Sequence, residues 1–248
     1  MSHPSPTPVD AFDLRGLIGF DASSRTFLSV YVRAPEGVSP FEGELGRLHM
    51  SVAEHAEESD ALAEALEGLQ AWFDDCSLPD SGTVCVFVCV PLDVFEVVHV
   101  PASLNTGVWL DASPYVRPIT EYLDEITHDG ADERAEEQAL WAEASAALAH
   151  GEGAVAGISE VMRALKRSAV RVVLIARTFE APGQRCRCCG SVFEAGHRIC
   201  PSCGDDALFA VDLVDECVEL ASWSKAALQY LDERPELAAH GGIVALLT

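Results

Sequence analysis

The first clear alternation of apolar and polar positions falls in Thr26–Arg33, TFLSVYVR. Leu28, Val30 and Val32 point to one side, and Phe27, Ser29, Tyr31 and Arg33 to the other. A period of two marks a strand, here with one fully apolar face. Pro35, Gly37 and Pro40 then stop it. From Leu45 to Phe73 the pattern turns helical: Leu62, Leu66, Leu69 and Phe73 recur at spacings of four, three and four and make an apolar stripe. Glu54, Glu57, Glu58, Asp60, Glu64 and Glu67 fill the remaining surface as a solvated acidic face. After a turn at Pro79–Gly82, Val84–Val90 is apolar throughout, which predicts a strand covered on both faces. Val94–Val100 is a second strand, with Pro91 and Asp93 in the hairpin turn between them. A short helix begins at Tyr115, and the pattern breaks at His128-Asp-Gly-Ala-Asp, the expected linker.

Glu133–Leu148 is rich in Ala, Glu and Gln, a strong helix by composition, and Gly151-Glu-Gly ends it. A second helix is predicted over Ala154–Ser168, with Val155, Ile158, Met162 and Leu165 on one face. Val170–Ala176 reads as a buried strand, Val211–Trp223 as an amphipathic helix, Ala227–Leu231 as a short strand and Gly241–Leu247 as a terminal strand. The expected fold class is therefore α/β, two α/β domains joined by a long helix. Its expected parts are a disordered leader (1–10), an N-terminal α/β domain (11–127), a linker and connecting helix (128–150), and a three-layer C-terminal domain (151–248). The last carries an insert at 184–206. No internal repeat appears.

Composition adds a compartment and a charge problem. Among 248 residues no run approaches the roughly 18 uninterrupted apolar residues of a membrane-spanning helix, and the polar N-terminus lacks the layout of a signal peptide. A cytoplasmic protein with no membrane partner is expected. Its nine cysteines then suggest reduced thiols or metal and not disulfides. The net charge of −24 looks hostile to nucleic acid, but it is uneven. Residues 1–150 carry 6 basic and 27 acidic side chains, and residues 151–248 carry 10 and 13. Arg163–Arg198 holds eight basic residues (Arg163, Lys166, Arg167, Arg171, Arg177, Arg185, Arg187, Arg198) and two acidic ones (Glu180, Glu194). A local stripe of this kind can meet a phosphate backbone even on an acidic protein.

The most informative stretch is Cys186-Arg-Cys-Cys189-Gly190, followed by Cys200-Pro-Ser-Cys203-Gly204, with ten residues between Cys189 and Cys200. Both halves read C-x-x-C-G. Two thiolates separated by two residues chelate one edge of a tetrahedron from a tight turn, and the following glycine permits a positive φ. Two such knuckles make a zinc ribbon, with Cys186, Cys189, Cys200 and Cys203 as ligands at about 2.3 Å. A closed four-thiolate shell makes the Zn2+ structural and not catalytic. Cys188 can replace Cys186 or Cys189 in that shell, or stand as a free reactive thiol. His197 is a weaker rival, read as an exposed loop histidine. Cys85 and Cys89 share a strand face but stand about 13 Å apart by strand rise, too far for one metal. They read as small core residues, as do Cys217 and Cys76.

No phosphate-binding loop, dinucleotide fingerprint, zinc-protease helix or nucleophile elbow occurs. Gly151-Glu-Gly-Ala-Val-Ala-Gly157 reads as a cap and a tight turn, and the paired carboxylates Asp74-Asp75 and Asp205-Asp206 as solvated turn residues. Nothing assembles a nucleophile, a base and an orienting group, so the expectation is no enzyme and no small-molecule substrate.

Taken in order, HGEGAVAGISEVMRALKRSAVRVVLIARTF, the two-knuckle insert, VDLVDECVELASWS and GGIVALL resemble the third domain of archaeal and eukaryotic class-I peptide release factors and their Pelota relatives. The likeness covers about residues 140–248. It implies an α/β fold similar to kink-turn-binding ribosomal proteins, with a zinc mini-domain at the position of the insert. SRTFLSVYVRAP, TVCVFVCV, VFEVVHV and SPYVRPITEYLDE are similar to the first domain of bacterial members. The middle domain, which in release factors carries the Gly-Gly-Gln tripeptide, has only Thr127–Glu136 in its place. The single Gly-Gly, Gly241-Gly242, is followed by Ile243, and no Asn-Ile-Lys-Ser motif occurs. The resemblance thus implies a non-catalytic, ribosome-associated factor with a rescue or hibernation role and an elongation-type GTPase as a further partner. Expected rRNA contacts are Arg163, Lys166, Arg167, Arg185, Arg187 and Arg198. An alternative is a protein-only adaptor, in which the acidic first half meets basic partners and the zinc ribbon docks protein. A third is an unseen enzyme, with Cys188 its most suspicious residue.

Overall fold

The computed structural model describes residues 4–22, 24–34, 41–127, 131–232 and 234–248, with the side chains of residues 42 and 131–134 outside that description. The chain divides into two compact units, Met1–Ile119 and Thr120–Thr248. The expected stop at Pro35–Pro40 and the His128–Gly130 part of the expected linker lie outside the described residues.

The first unit is built on strands β1 (Thr7–Pro8), β2 (Phe27–Arg33), β3 (Thr83–Cys89), β4 (Val94–Val100) and β5 (Gly107–Asp111), in the order β1-β4-β3-β2-β5. Its helices are α1 (Leu14–Ile18), α2 (Glu42–Val52) and α3 (Ala56–Asp75). On one face Leu28, Val30 and Val32 join Val84, Val86 and Val88, and α3 lays Leu62, Leu69 and Trp72 over them. The other face is buried too, because Tyr31 meets Phe87, Trp109 and Tyr115, and its hydroxyl donates to the Tyr115 carbonyl at 2.6 Å. β3 is accordingly buried at every position, as its unbroken apolar run predicts. The single helix expected over Leu45–Phe73 is two, because the chain leaves helical geometry at His55. β5 is not among the strands expected from the sequence pattern.

The leader differs from expectation over residues 4–10. Thr7 and Pro8 pair in parallel with Val98 and His99 of β4, Val9 is buried, and the indole of Trp72 donates to the Pro4 carbonyl at 2.8 Å. A polar, proline-rich composition hid this, since the segment is held by backbone groups and not by an apolar stripe.

The second unit has a four-stranded sheet, β11-β7-β12-β6, made of β6 (Ala154–Ala156), β7 (Val170–Ala176), β11 (Ala227–Leu231) and β12 (Ile243–Leu247). β7 and β11 run parallel, and β12 runs antiparallel to both β7 and β6. Helices α6 (Ile158–Leu165) and α7 (Leu213–Ser224) pack on each other and on the sheet. On the opposite face, α5 (Ala131–His150) and α8 (Pro235–Ala239) contribute Ala144 and Leu237 to a core with Leu174, Val244 and Leu246. α5, expected as a connecting helix, is thus part of this unit's core through Leu140, Trp141, Ala144 and Leu148. The division between the units falls within the sequence of α4 (Arg117–Thr127). The helix expected from Ala154 begins only at Ile158: Gly153 and Gly157 take φ of 85° and 81°, and the three residues between them form strand β6. The helix expected from Val211 likewise begins at Leu213, capped by Asp212, whose carboxylate accepts from the Val214 amide.

Removing Met1–Asp10 should leave the Trp72 indole without its acceptor and expose the surface that Val9 covers. The expected loss is about 2–4 kcal/mol, read as a lower urea midpoint with red-shifted tryptophan emission. An unchanged midpoint would contradict the docking of this segment.

Candidate metal centre and basic surface

Between β7 and α7 the chain makes a separate three-stranded sheet, ordered β10-β8-β9, from β8 (Pro182–Cys186), β9 (Val192–Glu194) and β10 (Leu208–Asp212). It carries the two knuckles, which share one geometry. The Gly190 amide donates to the Cys186 carbonyl, and the Gly204 amide to the Cys200 carbonyl, each at 2.9 Å. Gly190 and Gly204 take φ of 70° and 80°, the left-handed conformation that favours glycine. The Cys186 amide then returns to the Ser191 carbonyl, and the Cys200 amide to the Asp205 carbonyl.

This brings together the sulfurs of Cys186, Cys189, Cys200 and Cys203, all within 4.8 Å of one another. Cys186 to Cys203 and Cys189 to Cys200 are both 3.6 Å. A tetrahedron of bonds near 2.3 Å has edges of about 3.8 Å, so the donor set fits one tetrahedral metal ion. Cys186 and Cys200 are buried while Cys189 and Cys203 face outward. The Ser191 hydroxyl and amide hold the Cys189 thiol down to about 6. Burial opposes ionisation of Cys200, but the amides of Cys203 and Ser202 outweigh it and lower its pKa. Burial raises Cys186. The Asp205 amide favours the Cys203 thiolate, but burial and the three neighbouring sulfurs together raise its pKa. Four thiolates so close repel one another unless a cation lies among them, which is the demand a metal satisfies.

The four-sulfur cluster contains neither Cys188, which is exposed, nor His197, which sits edge-on to Phe193. Cys85 and Cys217 are fully buried, and burial pushes both thiols up, in keeping with small core residues.

The insert is fastened to the sheet domain beneath it. The Ser159 hydroxyl donates to Glu194 of β9, while within the insert the Gln184 amide oxygen accepts from the Gly196 and His197 amides. Gly183 lies so close to α7 that an added Cβ would meet Leu213 at 2.3 Å. Arg185 is buried and pairs with Glu216 of α7 at 3.5 Å.

That pair corrects one expected RNA contact: Arg185 is a buried anchor and not a surface cation. Its neighbours are largely committed as well. Arg163 pairs with Glu160, Arg171 with Glu143, and Arg177 with Asp124 at 3.2 Å. Arg187 lies over the Phe209 ring at 4.8 Å. Arg163, Lys166, Arg167 and Arg198 are exposed. In the second unit Lys166, Arg167, Arg198 and also Lys225 have no carboxylate partner among the described residues. Lys225 lay outside the charged stretch that the sequence drew attention to.

No family model matches the chain, and no curated protein does. Among solved structures, the chain is similar to the C-terminal domain of a peptide chain release factor from Methanosarcina mazei. There it is 24% identical over 53% of this chain and 89% of that one, with a TM-score of 0.35. It is also similar to Pelota from Archaeoglobus fulgidus, at 20% identity over 55% of this chain and 38% of that one, with a TM-score of 0.31. A crystal structure of the archaeal translation termination factor aRF1 aligns at 13% identity over 94% of this chain and 95% of that one, with a TM-score of 0.30. Among the described residues no helix is long and apolar enough to cross a membrane.

Two outcomes are expected from changes here. Cys203→Ser should release a metal bound at about one equivalent per chain and loosen residues 185–206, leaving the four-stranded sheet folded; full metal retention, read by elemental analysis, would contradict the assignment. Arg185→Ala should cost about 3 kcal/mol of stability by removing the buried ion pair with Glu216, and a companion Glu216→Leu change should recover part of it. If neither alters the thermal midpoint, the anchor is misassigned.

Proposed function

We propose that the protein is a non-catalytic, ribosome-associated translation factor of the release-factor and Pelota kind, with a rescue or hibernation role. The observation that carries this reading is the place of the four-cysteine insert. It lies between β7 and α7 of a sheet domain, where the order of motifs resembling the release-factor third domain puts a zinc mini-domain. The four thiolates suit Zn2+, which would supply no chemistry beyond fixing the two knuckles. Contact with rRNA falls to the cations that the protein's own carboxylates leave unpaired, and an elongation-type GTPase is a further partner. The lack of a Gly-Gly-Gln loop supports binding without peptidyl-tRNA hydrolysis. A protein-only adaptor is the second reading, favoured by the pairing of Arg171, Arg177 and Arg185 with carboxylates.

The purified protein should pellet with ribosomes at low salt and be released as salt rises, with no peptide release above background in a termination assay. Pelleting absent at every salt concentration would favour the adaptor, and codon-dependent release would overturn the non-catalytic reading.

A further inference from the structure

β7 and β11 are parallel neighbours, and each is entered from a helix, β7 from α6 and β11 from α7. Parallel strands entered in this way bring the two helix C-termini to the same end of the sheet. α6 and α7 also pack side by side. Lys166 and Arg167 follow α6, and Lys225 follows α7 in a left-handed conformation, φ 61°. Since Ala227 is in register with Val172, Lys225 lies two residues before that pairing, level with Val170. Three cations without carboxylate partners are thus gathered at one end of a protein of charge −24.

A lysine after a helix is accounted for by the helix dipole alone. Trp223 is not. It belongs to the last turn of α7 and is 59% exposed, the most exposed aromatic among the large hydrophobic side chains on the surface. An indole costs free energy in water, and here it stands two residues from Lys225. Near the start of β7, Glu143 of α5 is already held by Arg171. Thr248 also reaches this end, donating its amide to the Ala169 carbonyl.

A flat aromatic surface among unpaired cations is the composition that binds single-stranded nucleic acid, bases on the ring and phosphates on the cations. We infer that the end of the sheet formed by the C-termini of α6 and α7 is a binding face for single-stranded RNA. A base stacks on Trp223, and phosphates lie on Lys166, Arg167 and Lys225. The inference rests on the ribosome-association reading only for the source of that RNA. Within the four-cysteine insert Arg185 is buried and Arg187 lies on Phe209, which leaves Arg198 as its exposed arginine without a carboxylate partner among the described residues; the face proposed here lies outside that insert.

The test uses the full, metal-loaded chain and a short fluorescein-labelled oligoadenylate, followed by anisotropy across a range of salt. Trp223→Ala should weaken binding about tenfold with the salt slope unchanged, and Trp223→Phe should recover most of the loss. The combined change Lys166→Ala, Arg167→Ala and Lys225→Ala should lower the slope of log affinity against log salt by about 2. Circular dichroism should be unaltered in each, since all four side chains are exposed. Absence of oligoadenylate binding, or Trp223→Ala binding as tightly as the parent, would overturn the inference. So would tighter binding of labelled polyglutamate at the same residues, which would assign the face to an acidic protein. Oligoadenylate binding with these signatures but without ribosome pelleting would refute the ribosome reading alone. Pelleting indifferent to all these changes would refute this face alone.

Discussion

An acidic chain can hold a polyanion only through cations that its own carboxylates have left alone. The second unit obeys this constraint closely. Arg163, Arg171, Arg177, Arg185 and Arg234 each meet a carboxylate, so the stretch that looks strongly basic in the sequence is largely neutralised in the fold. These pairs differ in worth. The half-exposed ones, such as Arg163 with Glu160, contribute little to stability. Arg185 with Glu216 is nearly dry, and losing either partner would remove a buried ion pair. What remains for a polyanion is a short set, and topology gathers most of it at one end of a sheet.

The same pairing ties the four-cysteine insert to the rest of the molecule. A ribbon of this size has almost no apolar interior, and a metal ion would fix only its two turns. Its orientation comes from other contacts: Arg185 on Glu216, the close approach of Gly183 to Leu213, and the Ser159 hydroxyl on Glu194. Metal and anchor therefore answer different needs, the first holding the knuckles in shape and the second holding the insert on α7.

The strands with strong patterns were legible in the sequence. β2, β3, β4 and β7 each carry a run long enough for periodicity to register, and the four-cysteine cluster could be read from spacing because C-x-x-C-G fixes a turn almost by itself. The remainder depended on tertiary context. The N-terminal segment is held by strand pairing and by the Trp72 indole, and neither leaves a hydrophobic pattern. β6 is three residues between two glycines, and helical periodicity ran straight through it. The charge pattern depended on tertiary context most of all. A count along the chain cannot see that Arg171 meets Glu143 from a helix nearly thirty residues earlier, or that Lys225 joins Lys166 only because β7 and β11 are parallel. Ser222-Trp223-Ser224-Lys225, an aromatic between serines at the end of an amphipathic helix, was the one sequence signal for that surface.

The central claim is that RNA meets the protein at the unpaired cations beside Trp223. Zero-length ultraviolet cross-linking of the isolated ribosome complex, with mass spectrometry of the nucleotide-bearing peptides, tests it most directly. The account predicts adducts on the segments around Lys166–Arg167 and Trp223–Lys225. Adducts confined to the four-cysteine insert or to the first unit, or cross-links to ribosomal proteins alone, would contradict it.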